Sequence, residues 1–218
     1  MRELKIAAVM ITCPGREEML KATLADLRSH EPNLPVFVQR DETTFARRQE
    51  RQEHNALAAL QTGLNKFSEA EVLLFFEDDI IFNRHLIHNL QRWAPLRNIT
   101  TAIPGPEPTA RRYSFGSLYD PTVRELEMHQ DEHYFIADPE AVYGSQAFVL
   151  SRATAEYCVK HWWEVPGMQD IKMSRLAAQL GDICYHSPAL VQHVGIQSTW
   201  TDDARFHDTK SFDRNFKA

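Results

Sequence analysis

A chain of 218 residues, 43 % hydrophobic and 25 % charged, can bury one substantial core and is neither a disordered polyelectrolyte nor a fibre. Its 30 acidic side chains outnumber 24 basic ones, a formal charge of −6 that argues against general nucleic-acid binding. No apolar run approaches the roughly 18 residues of a membrane span, and Cys13, Cys158 and Cys184 form neither an even set nor a CxxC pair, which disfavours disulfide scaffolds and cysteine-rich zinc sites. The opening MRELKIAAVMITCPGR reads as a first strand and turn rather than a secretion signal, so the expectation is a soluble, cytoplasmic protein.

Leu4 to Ile11 is apolar and β-branched, and Thr12-Cys13-Pro14-Gly15 breaks it. Met19, Leu20, Leu24 and Leu27 then recur at helical spacing over Arg16 to Leu27. Pro35 to Gln39 is a second short strand ending at Arg40-Asp41, and Arg47 to Leu64 is helix-prone, with Gly63 expected to end or bend it. Val72 to Phe76 is a continuous apolar run of strand length, suited to a strand covered on both faces. Three strands alternating with two helices predict an α/β fold with a parallel sheet. After Asp79 a helix carrying Leu86, Leu90 and Trp93 is closed by Pro95.

Residues 100–140 hold five prolines and no sustained period, which fits loops, irregular strands and a substrate surface. Tyr143 to Leu150 reads as a strand, Arg152 to Trp163 and Asp170 to Leu180 as helices, and Ile183 to His186 and Leu190 to Val194 as short extended pieces. The tail after Gly195 is polar, but Trp200, Phe206, Phe212 and Phe216 give it something to bury, so a docked tail is expected.

The chemistry concentrates at Phe75-Phe76-Glu77-Asp78-Asp79-Ile80, where a buried strand delivers three carboxylates to the edge of a parallel sheet at which ligands bind. Adjacent carboxylates repel, and a hard divalent cation, Mn²⁺ or Mg²⁺, is the usual way to neutralise them. Helix capping by Asp79 beside solvated acids is the plainer alternative. The succession of strand, Thr-Cys-Pro turn, helix, strand ending in Asp41, helix with Asn55 and strand into an acidic triplet resembles the nucleotide-sugar half of GT-A fold glycosyltransferases. That resemblance implies a Rossmann-like, mostly parallel sheet flanked by helices with an irregular acceptor-side region. It further implies one GT-A domain over 1–218, with 1–99 as the nucleotide-sugar half and 100–218 as the acceptor-binding and catalytic half.

Four features carry the likeness from Lys5 to about Ser198. Glu77-Asp78-Asp79 stands where the family has a DxD-type metal motif, whose last acid, here Asp79, is the direct ligand. Tyr143-Gly144-Ser145-Gln146-Ala147 is similar to the glycine loop beside the donor sugar, and Gly144 permits close backbone approach. Gly167-Met168-Gln169-Asp170 resembles the xED motif whose final Asp is the base of inverting members, with Gln169 standing where the family often has Glu. Asp170 is equally a good helix-start residue. Ser187 to Gly195 looks like the segment from which a family His, here His193, reaches the metal; a packed core histidine is the alternative.

By the same resemblance Thr12, Pro14, Arg16, Asp41 and Asn55 surround the base and, with Asp78, Gly144 and Ser145, bind the donor; a turn former, a cap or a surface polar group is the equal alternative for each of the first five. Arg47, Arg48 and Arg51 are candidates to meet phosphate or nucleotide, but the interspersed Glu50 and Glu53 favour a solvated helix face. His85 and His88, and His129 and His133, read as surface histidines, and Trp162 and Trp163 as core more readily than as a sugar platform. The implied activity is metal-dependent transfer of a sugar from a nucleotide-sugar, a UDP-sugar by preference, to the hydroxyl of a glycan, lipid, protein or modified base. A sugar-1-phosphate nucleotidyltransferase is the first rival, although Thr12 to Arg16 is short and carries one glycine where such enzymes need a long basic glycine-rich loop. A non-catalytic nucleotide- or glycan-binding module is the second.

Overall fold

The computed structural model describes residues 2–97, 113–121, 125–195, 209 and 211–218. In chain order its elements are β1 (Ile6–Thr12), α1 (Glu17–His30), β2 (Val36–Arg40), α2 (Arg48–Lys66), β3 (Val72–Phe76), β4 (Ile80–Phe82) and α3 (Leu86–Arg92). There follow β5 (Tyr113–Ser117), β6 (Glu125–His129), β7 (Tyr134–Ala137), β8 (Ala147–Ser151), α4 (Arg152–His161), α5 (Gln169–Ala177), β9 (Asp182–His186) and β10 (Val191–His193).

An eight-stranded sheet runs β2-β1-β3-β8-β5-β9-β7-β6. It is parallel across β2, β1 and β3, with α1 crossing from β1 to β2 and α2 from β2 to β3, and again between β5 and β9. Strand β8 enters antiparallel between β3 and β5, and β7 and β6 join antiparallel at the far edge. Parallel pairing needs a long crossover, whereas β6 and β7 are linked by one short helical turn and can only form a hairpin.

All five residues of β3 are buried, and they alternate between two cores. Val72, Leu74 and Phe76 pack with Leu20 and Leu27 of α1 and Leu86 and Leu90 of α3. Leu73 and Phe75 pack on the other side with Ala59 and Leu60 of α2, Cys158 of α4 and Met173 of α5. The sheet is therefore sandwiched between helices, the arrangement that its central apolar run demands.

The structure corrects several expected boundaries. Helix α2 runs through Gly63 to Lys66, because a Cβ at Gly63 would collide with Val9 and press on Leu73; the glycine lets the helix approach β1 and β3. A strand, β4, precedes the helix expected directly after Asp79, since Ile80 to Phe82 finds a partner in β10. The strand expected from Tyr143 begins only at Ala147, because Gly144 turns the chain at φ +80°. Trp200 and Phe206 lie outside the described residues. The end of the tail docks as expected: Asn83 and Asn89, both fully buried, donate to the carbonyls of Asp213 and Phe216, and Phe216 packs beside His133 and His186.

His186 makes this packing pH-dependent. It is 1 % exposed and its Nδ1 donates to the Pro188 carbonyl at 2.6 Å. Burial pushes its pKa down to about 4, only partly offset by that carbonyl. The unfolded chain takes up the proton first, so this contribution is complete above pH 6.5 and is lost as pH falls to about 4, a change of about 3 kcal/mol. Urea denaturation of the parent and of His186→Gln should show a stability difference that shrinks by about that amount between pH 7 and pH 4; a constant difference would refute the assignment.

Candidate active site

Strands β1, β2 and β3 end side by side, and their termini line a cavity of about 480 Å³. The Thr12 carbonyl ties the end of β1 to the end of β2 and to α2, accepting from the Asp41 backbone at 2.9 Å and from Asn55 Nδ2 at 3.2 Å. Asp41 accepts from the Thr43 backbone and hydroxyl, and Arg51 Nε lies 3.6 Å away. Of the residues singled out from the sequence, Thr12, Arg16, Asp41, Asn55, Asp78, Asp79, Gly144, Ser145, Asp170 and His193 all line this cavity. Pro14 does not; it is exposed on the turn after β1.

Each acid of the triplet has its own surroundings. Asp78 is 3 % exposed, accepts from the Thr12 hydroxyl and lies 2.7 Å from the Arg16 guanidinium; burial still raises its pKa, because these partners offset desolvation only in part. Asp79 is 5 % exposed, and its Oδ2 faces Arg16 Nη2 at 2.5 Å and His193 Nε2 at 3.2 Å. Burial would push Asp79 up, but these two cationic neighbours outweigh it and hold the carboxyl below its ordinary value. Burial alone would lower His193, and Asp79 reverses this so that the imidazole is raised. Glu77 is pushed up to about 7, first by burial and then by the charge of Asp79, against the lowering effect of the Ser145 hydroxyl that donates to its Oε1.

Gln169, which departs from the xED pattern, lies fully buried and donates from Nε2 to Glu77 Oε1 at 3.1 Å and to Ser145 Oγ at 2.5 Å. An amide serves here where a second carboxylate would repel Glu77. The isosteric Gln169→Glu should therefore destabilise the protein by about 2 kcal/mol at pH 8 and less at pH 5.5, where the pair holds a proton, as read by chemical denaturation. An equal loss at both pH values would contradict this.

Asp170, one residue on, is 6 % exposed in the first turn of α5. Its Oδ2 accepts from the Gly144 backbone at 3.0 Å and its Oδ1 from the Ile171 backbone at 2.9 Å, which fixes the carboxylate plane against the glycine loop. Each oxygen keeps a lone pair for a further donor.

The Asp79 and His193 pair fits a divalent ion. Adjacent ligands of an octahedral ion at about 2.1 Å lie about 3 Å apart, close to the separation of Asp79 Oδ2 and His193 Nε2. Asp79 Oδ1 is buried without a partner, and a Cβ on Gly195 would stand 2.5 Å from Asp79 Oδ2 and 2.7 Å from His193 Nε2, so the glycine keeps the space before both atoms clear. Among the described residues no group of three or more His, Cys, Asp or Glu side chains is placed to hold a metal. A divalent ion here would take these two protein ligands and complete its shell from elsewhere.

On α2 the less favoured of the two readings holds for Arg48 and Arg51. Arg48, Arg51 and Gln52 line the cavity with Asn55, while Arg47 is exposed. The spacing 48, 51, 52, 55 is one helical face, a signal present in the sequence. Glu53, read as solvated, is 8 % exposed and lies 3.3 Å from the buried Lys172 of α5. Trp162 is core as expected, whereas Trp163 is 57 % exposed.

No protein-family model matches the sequence, and no curated protein matches it. Solved structures do. A glycosyltransferase involved in glycosylation of the major capsid of PBCV-1 superposes at TM-score 0.51 and 12 % identity, over 88 % of this chain and 94 % of that one. The galactosyltransferase LgtC, with donor and acceptor sugar analogues, gives 0.47 and 12 % identity over 91 % and 90 %. A Drosophila β-1,4-galactosyltransferase 7 with manganese, UDP-Gal and xylobiose gives 0.47 and 10 % over 88 % and 71 %. The chain has the α/β fold of GT-A glycosyltransferases.

Proposed function

We propose that the protein is a metal-dependent glycosyltransferase moving a sugar from a nucleotide-sugar, by preference a UDP-sugar, to an acceptor hydroxyl with inversion. The observation that carries this reading is the convergence on one cavity of the Asp79 and His193 pair, 3.2 Å apart, and the backbone-locked carboxylate of Asp170. Residues 1–99 then form the donor half and 100–218 the acceptor and catalytic half. No helix of the described residues is long and apolar enough to cross a membrane.

Asp79 and His193 would hold Mn²⁺ or Mg²⁺, which when bound neutralises charge developing on the departing diphosphate. Arg16, Arg48 and Arg51 add positive charge to the same cavity. Asn55 of α2, bonded to the end of β1, and Asp41, just after β2, flank the place for the base, and Gly144 and Ser145 the place for the sugar. Asp170 takes the proton of the attacking hydroxyl as that oxygen reaches the anomeric carbon from the face opposite the leaving phosphate. One displacement of this kind inverts the anomeric configuration.

The test is a thermal-shift panel of nucleotide-sugars with and without Mn²⁺, followed by NMR of the first product formed. A stabilisation that requires both donor and ion, and a product of inverted configuration, are expected. Pyrophosphate release from a nucleoside triphosphate would instead identify a nucleotidyltransferase, and an intact donor after long incubation a binding module.

A further inference from the structure

Asp78 and Asp79 are almost fully buried, and buried carboxylates without a cation are costly. His193 reaches Asp79 alone; the cation that contacts both is Arg16. Its Nε lies 2.7 Å from Asp78 Oδ1, and its Nη2 lies 2.7 Å from the same oxygen and 2.5 Å from Asp79 Oδ2. Asp79 Oδ2 is also the oxygen that faces His193 Nε2. The guanidinium therefore sits on the atom that a divalent ion would need, and two cations on one carboxylate oxygen repel.

We propose that Arg16 is a built-in competitor for the divalent ion, which occupies Asp79 in the donor-free protein and is drawn off by the donor's diphosphate, so that ion and donor enter together. The inference rests on the metal-dependent reading above. Three features make the exchange feasible. Arg16 stands in the turn between β1 and α1, so its head can relocate by rotation about its own side-chain torsions with no strand or helix displaced. A guanidinium matches phosphate oxygens in a bidentate manner and lines the same cavity. Asp78 does not depend on Arg16 alone, since the Thr12 hydroxyl donates to its carboxylate and the Thr23 hydroxyl to its backbone carbonyl.

The consequence is a donor-gated ion site: weak for the metal alone, strong once a nucleoside diphosphate is present. Titration calorimetry of Mn²⁺ into the full chain, with and without saturating UDP, reads this without any turnover. For the donor-free protein, Arg16→Gln should bind Mn²⁺ at least about tenfold more tightly than the parent. Arg16→Lys, which keeps the charge but reaches one carboxylate at a time, should fall between them. UDP should raise Mn²⁺ affinity more in the parent than in Arg16→Gln, and UDP without metal should bind the parent more tightly. Circular dichroism establishes that each variant is folded; if Arg16→Gln is not, Arg16→Lys against the parent decides. Equal Mn²⁺ affinities in the donor-free parent and folded variants overturn the inference and leave the metal reading standing. No Mn²⁺ binding by parent or variant, even with UDP, overturns both.

Discussion

Asp79→Ala is expected to lower the rate of sugar transfer by at least about 10³-fold while the protein stays folded. The factor follows from losing a metal's stabilisation of the leaving diphosphate, several kcal/mol at about 1.4 kcal/mol per tenfold. Folding should survive because the loss is partly compensated: removing the Asp79 charge relieves Glu77, whose pKa it helps to raise, and Arg16 keeps its contact with Asp78. Initial rates with Mn²⁺ and a parallel melting curve check both halves. His193→Ala should weaken Mn²⁺ binding in the same direction. Full activity of Asp79→Ala, or of the parent in the presence of a chelator, would end the metal assignment.

Asp170→Asn should lower kcat by about 10² to 10⁴-fold, the usual worth of a positioned general base, and leave UDP-sugar affinity within about threefold. The substitution keeps the size of the side chain and an acceptor for one of the two backbone donors, Gly144 or Ile171, so the loop and the helix start should remain in register. The two variants should therefore separate cleanly: on the proposed reading, loss of Asp79 impairs ion binding and loss of Asp170 the chemical step alone. A kcat unchanged by Asp170→Asn, or an initial product with the donor's own anomeric configuration, would refute Asp170 as base.

Much of the N-terminal part of the site was legible because it is encoded locally. The apolar run Val72 to Phe76 reports burial on both faces, and the residue after it must emerge at the sheet edge, so the position of Glu77-Asp78-Asp79 followed from strand length. The face of α2 carrying Arg48, Arg51, Gln52 and Asn55 was also present as a helical spacing, but the intervening Glu50 and Glu53 read as solvent-facing, and Glu53 proved to be buried against Lys172. Charge pattern alone does not reveal a partner on another helix.

The order of β1, α1, β2, α2 and β3, the parallel start of the sheet and the acidic corner were determined by the sequence itself, through hydrophobic periodicity that acts over a few residues. Only the tertiary structure decided that β10 pairs antiparallel with β4, setting His193 opposite Ile80 and so beside Asp79, 114 positions earlier. It likewise decided that Gly144 donates to Asp170, and that Arg16 bridges two acids more than 60 residues further along. Contacts of this kind depend on which strands and helices pack side by side, and that outcome belongs to the whole core rather than to any stretch of the chain.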